Sequence, residues 1–162
     1  MDYPIRRPIA GSDRTILAVA RISGGEIEPV TREQKREVPI TFEQVEAESG
    51  KLLSETLARL TPTFVRDKKG VIEYAELVSE DPLTASTVLA PEFAAKFRDT
   101  IGPDLVVAMP NRFQVYVFSR QDTIFQHMGE AVINGYLSSN YPVSREAFLL
   151  ENGRLRSLGV YR

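Results

Sequence analysis

Residues 105–118 constrain this chain more than any other stretch. Leu105-Val106-Val107-Ala108-Met109 is a nearly continuous apolar run of strand length, the pattern of a strand buried on both faces. Pro110-Asn111-Arg112 supplies a turn. Phe113, Val115 and Val117 then alternate with Gln114, Tyr116 and Phe118, the two-residue period of a returning strand.

Two further hairpins are expected. The first runs from Thr15–Ile22 through Ser23-Gly24-Gly25 to Ile27 and Val30. The second joins Thr63–Arg66 to Val71–Val78 through Asp67-Lys68-Lys69-Gly70. Helices fall between and after the hairpins. Thr41 with Gln44 has capping-box spacing, and Phe42, Val45, Leu52, Leu53, Leu57 and Leu60 form one apolar face. Gly50 weakens that helix and Pro62 stops it. Pro91 opens a short helix through Phe93, Phe97 and Ile101, and a further helix spans about Asp122 to Leu137. The charged run Thr31–Glu37 reads as a solvated loop, Ala85–Leu89 as a further strand, and Ser144–Ala147 as a capped turn. Phe148–Leu150, a turn at Glu151-Asn152-Gly153, and Leu155–Val160 close the chain.

The expected class is α+β: an antiparallel sheet built from successive hairpins with three main helices packed on it. Residues 1–14, with two prolines and a glycine, read as a leader, and residues 15–162 as a single domain.

Composition removes several functions. The 20 basic and 22 acidic residues leave a net charge of −2, which argues against nucleic acid, and the nearest basic cluster is only Arg6-Arg7. With no cysteine, disulfides, thiolate nucleophiles and thiolate metal sites are excluded. No apolar stretch approaches the ~20 residues of a membrane span, and no signal pattern opens the chain, so a cytoplasmic protein is expected.

The sole histidine, His127, lies at the border of an apolar stripe and lacks a partner at catalytic spacing. Glu73 and Glu76 are an odd number of residues apart on a strand and so face opposite ways. Gly24 and Gly25 lie between strands rather than before a helix, which rules out a phosphate-cradling loop. Asp67-Lys68-Lys69-Gly70 lacks the alternating acids of a calcium loop and reads as a turn. No cofactor is expected. Tyr116 and Phe118 share one strand face, which either packs under a helix or lies partly open to a partner.

The segments Pro103–Arg112, Tyr141-Pro142-Val143-Ser144, Ala147-Phe148-Leu149 and Glu151-Asn152-Gly153-Arg154-Leu155 together resemble the end of the YtpQ-like family of uncharacterised bacterial proteins. The order of elements from Thr15 through the helix at Phe42–Leu60 is similar too, so the likeness covers most of residues 15–162. Members of that family are longer at the N-terminus. The resemblance implies a bacterial or phage-related origin and brings neither an activity nor site residues.

The expectation is a non-enzymatic protein-binding module, chaperone-, adaptor- or immunity-like, with another protein or a second copy as partner. The order of helices and strands between Phe42 and Leu137 is also similar to that of secretion-system chaperones. Its expected surface is Asn111, Arg112, Tyr116, Phe118 and His127. The alternative is a small-ligand binder or hydrolase whose carboxylate site gathers from loops, drawn from Asp67, Glu73, Asp104, Asn111 and Arg112.

Overall fold

The computed structural model describes residues 3–162, so Met1 and Asp2 of the expected leader lie outside it. The rest of that leader belongs to the fold. β1 (Arg6–Pro8) pairs antiparallel with β2 (Ile16–Ala18), placing Arg7 opposite Leu17. The apolar residues flanking this short polar strand draw it in. Ile9 joins the main core, and Ile5 packs with Val19 and Val30 in a small cluster of its own.

The first expected hairpin forms, but from Ala20: β3 (Ala20–Ser23) turns through Gly24 and Gly25 into β4 (Glu26–Pro29). Both glycines have positive φ, which explains the pair at this turn. The expected loop at 31–37 is instead α1 (Arg32–Glu37), capped by Thr31 with Gln34 reaching back to the cap. It buries no residue, so the capping box rather than an apolar face starts it. The same box at Thr41 and Gln44 opens α2 (Phe42–Arg59), as expected, and α2 passes Gly50 without a break.

β5 (Thr63–Arg66) and β6 (Ile72–Val78) make the second hairpin. Residues Ala85–Leu89 form a 3-10 helix rather than a strand. Here the Thr87 hydroxyl donates to the carbonyl of Thr84, a local bond that competes with strand pairing. α3 (Phe93–Phe97) follows.

β7 (Leu105–Asn111) and β8 (Gln114–Ser119) are the third hairpin, with the turn at Arg112-Phe113 rather than at Pro110–Arg112, where the Phe113 amide donates to Asn111 Oδ1. The helix expected over 122–137 is split into a 3-10 helix, Ile124–His127, and α4 (Gly129–Leu137). The Phe125 carbonyl, which a continuous helix would offer to Gly129, accepts instead from the Tyr161 hydroxyl at 2.7 Å. The capped turn expected over 144–147 does not form: the Ser144 hydroxyl accepts from the Glu146 amide at the start of β9 (Glu146–Glu151), which pairs with β10 (Arg154–Val160).

The main sheet runs β10-β9-β7-β8-β6-β5 with every pair antiparallel. The class is α+β, yet the helices are less uniform than three packed on one sheet. α2, α3 and the 3-10 helix at 85–89 cover one face through Leu57, Val88, Phe93 and Phe97. α4 covers the other through Val132, over Val106, Phe118 and Leu149. Among the described residues no helix is long and apolar enough to cross a membrane.

The two edges differ. The Ser157 amide of β10 donates to the Ala10 carbonyl at 2.8 Å, so the N-terminal segment closes that edge. Gly11 allows the approach: its φ is +75°, and a Cβ there would lie 3.1 Å from the Ser157 carbonyl oxygen. The outer edge of β5 has no strand partner among the described residues.

Two stability measurements test this packing. Ile9→Ala should lower the urea unfolding free energy by about 2–5 kcal/mol, the usual cost of emptying a core site. A solvated leader would leave it unchanged. Gly135→Ala, on α4, would bring a Cβ to 3.1 Å from Pro110 Cβ and Cγ. It should destabilise by about 1 kcal/mol, although helix propensity alone favours alanine by a similar amount.

Candidate functional site

The small N-terminal cluster and the main core form separately, and the seam between them is incompletely filled. Leu17 of β2 packs against the main cluster. On one side of it lies an apolar groove of about 230 Å³, walled by Ile16 and Ala18 of β2, Ile27 of β4, and Pro82, Ala85 and Leu89 opposite. Core residues Ile9, Val88, Met109 and Leu155 reach its floor. A smaller hollow of about 110 Å³, with Leu17, Ala18 and Leu89 in common, continues toward Val45 and Leu53 of α2. Ile16 and Val143 line the groove while 43% and 39% exposed, so part of its apolar lining meets solvent.

Arg112 stands at the groove with its guanidinium 4.4 Å from the centre of the Tyr141 ring. Its position is set by backbone bonds, since its amide donates to the Tyr141 carbonyl and its carbonyl accepts from the Ala85 amide. Among the described residues it has no carboxylate partner. The geometry is that of a stacked cation with its outer edge available to an anion.

The other residues expected at the surface serve different ends. Asn111 is a structural clasp: its amide donates to the Gly135 carbonyl at 3.0 Å and its Oδ1 accepts from the Phe113 amide. Tyr116 and Phe118 are buried, at 7% and 0% exposure, so the open-face reading of that pair is corrected. They stack with ring centres 6.1 Å apart beneath the layer that carries α4. Burial, with the charges of Glu76 and Tyr74 added, pushes the Tyr116 hydroxyl above its ordinary pKa, against a hydrogen bond from Gln114 that lowers it. His127 is exposed on its 3-10 helix and does not line the groove.

The carboxylates of the hydrolase alternative do not converge. Asp67 Oδ1 accepts from the amides of Lys69 and Val71 and shapes the hairpin turn. Glu73 lines an open polar depression near Asp122, whose own carboxylate accepts from the amides of Thr123 and Ile124. Asp104 lines neither that depression nor the groove.

The chain matches no protein-family model, no curated protein and no solved structure.

One polar cluster was not expected from sequence. The Glu146 carboxylate, 2% exposed, sits beside the groove and receives hydroxyls from both ends of the chain. Ser12 and Thr15 donate to Oε2 at 2.8 and 2.5 Å, and Ser157 donates to Oε1 at 2.8 Å. Ser144 Oγ lies 2.8 Å from Thr15 Oγ1 and 3.4 Å from Oε2. Burial pushes the Glu146 carboxyl up, but the donations from Thr15, Ser157, Ser12 and Ser144 together outweigh it and hold the carboxyl below its ordinary value. The only sequence signal was a set of hydroxyl residues flanking a lone acid, too common a pattern to single out.

Because the folded pKa is depressed, the ionised form stabilises the fold above the ordinary carboxylate range, and this contribution is lost as pH falls through the folded value. Glu146→Gln should therefore be less stable than the parent near neutrality, and the gap should close below about pH 4. Parallel urea titrations across pH check this, and a gap that stays constant would contradict it.

Proposed function

We propose that this chain is a non-enzymatic protein-binding module whose docking site is the apolar groove along β2, with Arg112 at its rim. The occupant is an extended apolar peptide segment carrying a carboxylate opposite Arg112. The stacked, carboxylate-free guanidinium beside an apolar groove is the observation that carries the reading. Among the described residues β2 pairs with β1 alone, so its second edge has no described strand alongside it in the groove wall. An extended segment suits such an edge, since main-chain bonds give affinity and side chains in pockets give selectivity. The cytoplasmic setting and the kinship with the YtpQ-like family are part of the same proposal, the latter resting on the C-terminal segments quoted above.

Selection of a random-peptide library displayed on phage against the immobilised protein tests it. Peptides rich in apolar residues should emerge, and Ser86→Trp, which fills the groove from the 3-10 helix, should abolish their binding. Arg112→Glu should weaken them about tenfold, or 1.4 kcal/mol. Peptides indifferent to both variants would overturn the proposal, as would binding of small carboxylates with no peptide selected.

A further inference from the structure

The fold gathers cations that are scattered in sequence. Arg32, Lys35 and Arg36 recur at i, i+3 and i+4 on one face of α1. Arg6 of β1 is brought beside them, and with Tyr3 and Pro4 they line a recess of about 460 Å³ that no carboxylate among the described residues lines. The Lys35 ammonium donates to the Pro4 carbonyl at 3.1 Å, which ties α1 to the segment before β1. Neither Glu33 nor Glu37 of the same helix lines the recess.

Arg7 shows what its neighbour does not do. It pairs with Glu43 at 2.6 Å, approaches Glu46 at 3.9 Å, and lies over the Phe42 ring, so its charge is answered within the fold. Arg6 and Arg36 make no ion pair among the described residues. A concentrated positive recess on a chain of net charge −2 is a local feature with its own partner chemistry.

Tyr3 lines both this recess and the apolar groove, so the two adjoin at that residue. We infer that the groove's peptide partner continues past Tyr3 into a run of acidic residues held by Arg6, Lys35 and Arg36. The inference rests on the groove reading and adds the partner's charge pattern to it. A peptide fits because one ligand must satisfy an apolar wall and a cationic recess in succession. Nucleic acid would bring phosphates without the apolar side chains that the groove accepts.

The library selection described above supplies the probes, and the double variant Arg6→Gln/Arg36→Gln supplies the test. Both residues are exposed, so the variant should melt with the parent. Selected peptides should join an apolar stretch to several Asp or Glu residues at one end. At low salt the double variant should bind them about three- to tenfold more weakly, as expected for exposed charge pairs. Peptides trimmed of their acidic end should bind both proteins alike. Apolar peptides with no acidic end, or no loss in the double variant, would overturn the inference and leave the groove standing. Selected peptides that ignore Ser86→Trp would remove the groove itself. A thymidine oligonucleotide that binds the parent and fails on the double variant would assign the recess to nucleic acid and overturn the inference.

Discussion

β7 is paired on both edges and buried on both faces, and the positions of the other parts follow from that. Its backbone bonds to β8 on one side and β9 on the other, while alternate side chains enter opposite cores: Val107 under α2 and α3, Val106 under α4. A strand so enclosed cannot slip by one residue without exchanging its two apolar sets, which would mismatch both layers. Its end is therefore a fixed point. From it come the Asn111 clasp on α4, the placement of Arg112, and the bond from the Ala85 amide that seats the 3-10 helix. One wall of the groove and its charged rim both depend on where this strand stops.

What was legible in the sequence tracks how local the causes are. The hairpins at 63–78 and 105–118, the latter with its turn moved to Arg112-Phe113, and the capping box at Thr41 are set by neighbouring residues, and they form. Thr31 and Gln34 carry the same box, but without an apolar face behind it the signal looked like a polar loop. The strand at β1 was hidden because its two anchors, Ile5 and Ile9, enter different clusters and make no periodic pattern. Arg112 could be suspected from its place at a hairpin tip. The groove could not, since its walls come from residues some seventy positions apart. For Tyr116 and Phe118 the alternation fixed a shared face, and only the docking of α4 decided that the face is closed.

Glu146 illustrates a buried charge held without a cation. Desolvating a carboxylate is costly, and a lone neutral donor would not offset it. Several hydroxyls aimed at both oxygens do so because each bond to a charged acceptor is stronger than one between neutral groups. No buried side-chain polar atom among the described residues is left without a partner, so the cluster is closed as well as charged.

The same cluster sets an order of assembly. Ser12 and Glu146 are 134 positions apart, and Ala10 meets β10 across a comparable span. The hairpins can form as they emerge from the ribosome, each from adjacent residues. The N-terminal segment, made first, finds its carboxylate and its strand edge only when the last tenth of the chain is free. The groove joins a wall from near the start of the chain, β2, to a floor that includes Leu155 of β10. Without β9 and β10, β2 would lack the Leu155 part of that floor and the N-terminal segment would lack the strand edge it meets.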